Sequence, residues 1–202
     1  MIRCQKGIHQ AKLSNMNKYK IIAGAGAALA LGSLVLLNSC ASIPKNAEPV
    51  KGFDINRYLG DWYEIARFDY RFEKNLDNAG AQYSLDDKGN VKVVNSGYNF
   101  KTNEWKSVQG TAKFRGDKNT AALKVSFFGP FYSGYNVIAL DENYKYALVA
   151  GKNLDYLWIL SREKTIPEGV KQNYLKTAGE AGYDTSRLIW VKHDKNNPFL
   201  SE

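Results

Sequence analysis

The stretch "GDWYEIARF", residues 60–68, alternates apolar and polar side chains with the period of two that marks a strand. Counting by twos from Trp62 sets Trp62, Glu64, Ala66 and Phe68 on one face. A polar loop, "DYRFEKNLDNAG", follows, and the same pattern then recurs along the chain. "AQYSLDD" (81–87) ends at the turn residues Lys88-Gly89-Asn90, and "VKVVNSGYNF" (91–100) at Lys101-Thr102-Asn103-Glu104. "WKSVQGTAKF" (105–114), "TAALKVSFF" (120–128), "YNVIALD" (135–141), "YALVAG" (146–151) and "YLWILSR" (156–162) complete eight short segments joined by tight turns. A consecutive meander of this kind predicts a β-sandwich or an up-and-down barrel. The period then changes. Pro167 opens a helical pattern with Val170, Tyr174, Ala178 and Ala181 on one face, Gly182 stops it, and "RLIWVKH" (187–193) returns to a strand.

Composition agrees with strands. The 202 residues include 13 Tyr, 9 Phe and 4 Trp against only 5 Pro, and 44% of the chain is hydrophobic, enough for a full core. The formal net charge of +8 is unevenly placed. Five of the 28 basic residues (Arg3, Lys6, Lys12, Lys18, Lys20) fall in residues 1–40, which carry no acidic residue; the remaining 23 face 20 acidic ones, a net of +3. A nucleic-acid-binding face is therefore not expected.

Lys18 and Lys20 precede the 17-residue apolar run "IIAGAGAALALGSLVLL" (21–37), the layout of a secretory signal. A run of that length also suits a short membrane span. The residues that follow favour the signal. Leu37-Asn38-Ser39-Cys40 resembles the lipobox of bacterial lipoproteins, with Asn38 where that pattern prefers Ala or Ser. The resemblance implies cleavage before Cys40, acylation of Cys40 on sulfur and on its new amino terminus, and a stable multi-chain membrane anchor. Ala41, rather than Asp, after the Cys implies passage to the outer membrane of a Gram-negative envelope. Met16 is the expected true start, because it brings the lysines directly ahead of the apolar run. The expected organisation is residues 1–39 as signal, 40–52 as tether, 53–193 as the folded domain and 194–202 as a C-terminal tail. Cys4 is the only other cysteine, so the mature domain holds no free thiol and no disulfide. That excludes thiol nucleophiles, redox CxxC chemistry and zinc-thiolate sites.

Three segments resemble the lipocalin family, and within it the bacterial outer-membrane lipoprotein lipocalins: "GDWYEIARF" (60–68) with Gly60 and Trp62, "DENYKYALV" (141–149), which keeps only Tyr144 of a Thr-Asp-Tyr pattern, and "LWILSR" (157–162) ending at Arg162. The resemblance extends over Phe53–Val191 and includes "FFGPFYSGYNVIAL" (127–140). It implies an all-β fold: an eight-stranded antiparallel up-and-down β-barrel with one C-terminal α-helix and a short final strand. It also implies that Trp62 plugs the closed end with Arg162 packed across it, a cation–π arrangement worth about 1–2 kcal/mol when shielded from water.

With Trp62 inside, family parity adds Ala81, Tyr83 and Leu85; Val91, Val93 and Asn95; Val108, Gly110 and Ala112; Leu123, Val125 and Phe127; Tyr135, Val137 and Ala139; and Tyr156, Trp158 and Leu160. Small residues alternate with aromatic ones, the pattern of an apolar cavity. The expected ligand contacts are Tyr83, Val93, Asn95, Val125, Phe127, Tyr135, Val137, Tyr156 and Trp158, with the phenols and the Asn holding a polar head near the mouth. An inward Glu64 is costly alone, and it is expected either to pair with an inward base or to be solvated near the barrel end. "FFGPFYSG" (127–134) is an unusually apolar loop, suited to a membrane, a ligand, a subunit or closure over the mouth.

No catalytic set is visible. His193 is the only histidine beyond the signal segment, and no Ser-His-Asp set, HExxH, GxSxG or phosphate loop occurs. No cofactor and no metal is expected. The reading is a non-enzymatic carrier at the outer membrane, with a fatty acid or lysophospholipid as ligand, the membrane as partner through the anchor, and a homodimer as an option. Two alternatives stand beside it: an envelope interaction protein with a filled barrel that uses the 127–134 loop, and a lipid-modifying enzyme that uses Glu64.

Overall fold

A computed structural model describes residues 42–201. Met16, the signal segment and Cys40 lie outside the described residues. The strands are β1 (Gly60–Phe68), β2 (Leu76–Leu85), β3 (Val91–Asn99), β4 (Glu104–Phe114), β5 (Ala122–Phe128), β6 (Phe131–Leu140), β7 (Tyr146–Ala150), β8 (Leu157–Ser161) and β9 (Leu188–Trp190). A one-turn helix α1 (Ile55–Tyr58) precedes β1, and α2 (Glu168–Glu180) lies between β8 and β9. Neighbouring strands pair antiparallel in chain order. β1 pairs with both β2 and β8, which closes eight strands into a barrel.

The up-and-down order puts the turns after β2, β4 and β6 at one end, the base, and those after β1, β3, β5 and β7 at the other, the mouth. The base is sealed as the motifs imply. The Arg162 guanidinium lies 3.9 Å from the Trp62 ring centroid. It donates to the main-chain oxygens of Tyr144, Asp61, Arg57, Tyr58 and Leu59 at 2.7–3.2 Å. Trp62 is fully buried, and its Nε1 donates to Tyr58 O at 2.8 Å. Gly60 has φ +91°, and a Cβ there would stand 3.3 Å from Arg162 Nη1, so glycine serves both conformation and close approach. Tyr144 also has positive φ, 58°, and its hydroxyl accepts from Asp54 N at 2.9 Å.

Two hydrophobic clusters divide the apolar residues. The first fills the barrel: Phe53, Tyr58, Trp62, Tyr83, Val93 and Leu123 are among its members. The second lies outside the wall, under α2, and includes Ala66, Phe68, Leu148, Ile159, Tyr174 and Ala178. Tyr174 presses its ring onto β7 and donates its hydroxyl to Tyr146 O at 2.9 Å.

Four register irregularities interrupt the pairing, and two of them displace three expected interior residues. The β1–β8 register skips Ile65: Glu64 faces Leu160 but Ala66 faces Ile159 and Arg67 faces Trp158. The extra residue inverts parity, so Ala66 and Phe68 join the outer cluster and Arg67 turns inward. A second skip between Val137 and Ala139 sends Ala139 outward as well. Leu85 and Val108 are 45% and 37% exposed rather than sealed inside. Val108 lies on the Glu104–Gly110 stretch of β4, which β5 does not pair; that pairing begins at Thr111.

The flanking segments are docked. Residues 42–52, expected as tether, run along the wall: Ser42 Oγ donates to Lys152 O at 2.7 Å, Ala47 is buried, and Val50 N donates to Val137 O at 2.9 Å. Fully buried Asn136 pins this crossing, its Nδ2 reaching Ser42 O, Ala150 O and Gly151 O while its Oδ1 accepts from Arg115. In the tail, Asn197 Nδ2 bonds Asn78 O and Ser96 Oγ, and Leu200 is buried beside Gly80.

Replacing Arg162 with Ala leaves several base carbonyls without a charged donor and bares the indole. The expected loss is about 3 kcal/mol or more, read as a lowered urea midpoint with unchanged far-UV circular dichroism at low denaturant. Arg162→Lys recovers only a minor part, since an ammonium lacks the planar fork.

Candidate functional site

The barrel interior is built in three levels. Above the sealed base lies a floor of phenols. Tyr58 and Tyr83 each hydrogen-bond Tyr135, hydroxyl to hydroxyl, at 2.7 and 2.9 Å. Burial raises the pKa of all three phenols, so they stay neutral. This places Tyr83 and Tyr135 at the floor, not near the mouth as a head-group seat. Tyr58, from α1, was not foreseen; it precedes the strand whose alternation guided the reading.

Beside the floor is a buried ionic cluster. Glu64, 7% exposed, accepts from Arg67 Nη1 at 2.7 Å. Arg67 Nη2 donates to Glu73 O and Leu76 O at 2.9 and 2.8 Å. Glu73 starts on the mouth loop after β1, and its carboxylate reaches down to Trp158 Nε1 at 3.3–3.4 Å. Glu64 thus has the partner its burial demands, and that partner comes from the parity inversion at Ile65. Burial raises the pKa of Glu64, and Arg67 opposes the shift. Burial, reinforced by the Glu64 charge, pushes the Glu73 carboxyl up to about 8, against the pull of Arg67 and the Trp158 N–H.

Above the floor the wall is mostly apolar. Val93 is buried inward, and Val125, Phe127 and Trp158 pack partly buried against the same interior cluster, while Val137 is buried on the base side of Tyr135 on β6. Gly110 makes room for Phe127: a Cβ there would fall 2.7 Å from the Phe127 ring. Asn95 Oδ1 is sealed from water and has no protein partner. Across the unpaired β4–β5 seam opens a cleft of ≈ 270 Å³ lined by Gln109, Gly110, Thr111, Ser126, Phe127, Gly129 and Tyr132. Tyr156 departs from expectation. It sits in the turn before β8, its ring 4.7 Å from Tyr70 and 6.2 Å from Trp158, so it belongs to the mouth rim rather than the wall.

His193 is structural: its Nε2 meets Glu64 O at 2.9 Å, where the segment after β9 fills the gap between β1 and β2. Val191 N donates to Ile65 O and Asn78 N to Lys192 O along the same seam. Among the described residues no group of three His, Cys, Asp or Glu side chains forms a metal site.

Glu73 carries a testable pH dependence. Its carboxyl binds a proton more tightly in the folded chain, about 8, than at its ordinary 4.5. The folded state therefore holds the extra proton between those values, and stability falls as pH rises through that window. Thermal melts from pH 5 to 9 should decline, and Glu73→Gln should flatten the decline while leaving stability at pH 5 nearly unchanged.

A family model described as a lipocalin-like domain matches residues 53–193. The chain is 54% identical over 166 residues to the outer membrane lipoprotein Blc of Citrobacter freundii, covering 82% of this chain and 94% of that one. It is 51% identical to the Escherichia coli K12 protein of the same name, covering 88% and 98%. Among solved structures, insecticyanin from the tobacco hornworm Manduca sexta superposes with a TM-score of 0.61 at 23% identity, over 75% of this chain and 86% of that one, a likeness of fold. The sealed barrel, the Trp62–Arg162 base and these matches together show that the chain belongs to the lipocalin family.

Proposed function

We propose that this protein is a non-enzymatic carrier, anchored to the outer membrane through acylated Cys40, that takes the acyl chain of a fatty acid or lysophospholipid into the barrel. The outer-membrane location and the lipocalin type of hydrophobic-ligand carrier accord with the lipoprotein relatives. The chemical class of ligand rests on the interior. The observation that carries the reading is the apolar wall of Val93, Val125, Phe127 and Trp158 above a neutral phenol floor.

An acyl chain gains about 0.8 kcal/mol for each CH₂ withdrawn from water. About fifteen buried methylenes, roughly 12 kcal/mol, then offset an association cost of about 4 kcal/mol and leave roughly micromolar affinity. The neutral floor accepts a chain end without facing it with charge. Asn95 stands one inward step above Val93 on β3, toward the mouth. Its unbonded Oδ1 suits a ligand hydroxyl, and its amide hydrogens suit a carboxylate or phosphate oxygen. At the seam the Phe127 ring fills space that only glycine at position 110 leaves open.

Glu64 is a poor catalytic acid or base in this arrangement, because Arg67 engages its carboxylate and the pair is buried together. The carrier reading is tested on protein secreted into the bacterial periplasm and purified without detergent, by native mass spectrometry and lipid extraction. A stoichiometric fatty acid or lysolipid, displaced by added oleate, is expected. Trp158→Ala, which strips one side of the wall, should weaken uptake of a fluorescent fatty acid roughly tenfold. A protein free of lipid that also takes up no fatty acid contradicts the proposal and favours a filled barrel that binds a protein partner.

A further inference from the structure

The mouth of the barrel is fringed with exposed aromatic and aliphatic side chains from four separate loops. Phe72 (61% exposed) comes from the loop after β1, Phe100 (46%) from the β3–β4 turn, Phe128 (64%) and Phe131 (79%) from the β5–β6 turn, and Leu154 (40%) from the turn after β7. These are not scattered surface residues. The Phe72 and Phe128 rings are 6.2 Å apart, and Phe72 continues through Tyr70 at 5.5 Å to Tyr156 at 4.7 Å. One apolar strip therefore crosses the rim. Cations sit among the rings: Arg71 lies 5.0 Å from the Phe72 ring, Lys101 5.9 Å from Phe100 and Lys152 5.7 Å from Tyr156. Of the two acids in the first loop, Asp69 is exposed and Glu73 turns inside to Trp158, and Glu104 and Asp155 are exposed acids of the other mouth turns. The base differs. Its turns mix the acids Asp86, Asp87, Asp117, Asp141 and Glu142 with Lys88, Lys118 and Lys145 and, among the described residues, carry no exposed aromatic.

The chain also enters the fold at this end. Ser42 is held to the mouth turn by its bond to Lys152 O, and it packs where a Gly134 Cβ would stand only 2.2 Å from Ser42 O. Cys40 precedes Ser42 by two residues. Two residues span at most about 7 Å.

We infer that the open rim is a membrane-docking surface: the four loops dip their aromatic tips into the headgroup region of the anchoring bilayer, and the interleaved cations meet anionic lipid phosphates. Aromatic side chains settle at that depth, and basic residues beside them add attraction to an acidic surface. The placement of the bilayer rests on the anchor at Cys40. The consequence is mechanical. With the mouth against the lipid, an acyl chain passes between bilayer and barrel without crossing bulk water.

The mature lipoprotein, reconstituted in vesicles of phosphatidylethanolamine and phosphatidylglycerol (about 3:1) with brominated acyl chains, tests this. An environment-sensitive fluorophore is placed on Phe131→Cys at the rim or Asp87→Cys at the base, and intact mass establishes whether Cys40 is acylated. The rim label should shift to the blue and be quenched at least threefold by bromine, while the base label is unaffected. A rim label as unquenched as the base label overturns the proposal. If Cys40 proves unacylated, the anchor reading fails alone, and the same labels on protein that also carries Cys40→Ser, with excess vesicles added, still decide the docking. The double variant Phe128→Ser, Phe131→Ser should slow transfer of a fluorescent fatty acid from vesicles at least tenfold and leave equilibrium uptake from vesicle-free solution unchanged. Slowed transfer with lost equilibrium uptake would instead place these residues in the ligand site. Sedimentation of a dimer that the double variant dissociates, with no quenching in the parent, would assign the rim to a second copy of the chain.

Discussion

Arg162 is the tie on which the barrel depends. One guanidinium covers the Trp62 indole and gathers the main-chain oxygens of Arg57, Tyr58, Leu59, Asp61 and Tyr144, so the approach to β1, the last base turn and the end of β8 are fixed to one group. A planar, permanently charged fork is suited to this, because it donates in several directions while stacking on an aromatic face. With the base sealed, the apolar residues above it face a closed space instead of a channel. The mouth is then the natural entrance, and the loops that surround it are free to carry function.

The sequence made the barrel legible because eight segments share one period and their turns carry residues with a local mechanism. Asp86 accepts from the main chain of Lys88 and Asn90 around Gly89, and Asp141 caps the turn into β7. The ends of α2 were equally plain, from Pro167 before its first turn to Gly182 with φ +96° after its last. The interior was legible only where pairing stays in register. Tyr83, Val93, Val137 and Trp158 followed alternation, whereas Ala66, Phe68 and Ala139 did not, because Ile65 and Ile138 are each inserted opposite no partner. A bulge leaves no compositional mark in "WYEIARF". Glu64 did leave a mark, since an inward carboxylate is costly alone, but its partner stayed hidden because strict alternation sets Arg67 on the outer face. Glu73 lay beyond reach of any periodicity, since a loop side chain that folds back into a barrel is placed by tertiary packing alone.

That loop ties the mouth to the interior. Arg67 holds the backbone of Glu73 and Leu76 while Trp158 holds the Glu73 side chain, so the segment bearing Phe72 is braced from within the barrel. An ionisable group in the same place makes the brace dependent on protonation. The rim, the wall and the ionic cluster are accordingly one connected structure, and a ligand that displaces Glu73 from Trp158 would also shift the loop that carries Phe72.

Photo-crosslinking with a fatty acid bearing a diazirine near the middle of its chain tests whether an acyl chain lies inside the barrel above the phenol floor. Peptide mapping of the adducts should find them on the inward residues Val93, Val125, Phe127 and Trp158, and competition by oleate should remove them. Adducts confined to the outer face beneath α2, or to the exposed rim with none on the wall, would contradict the account.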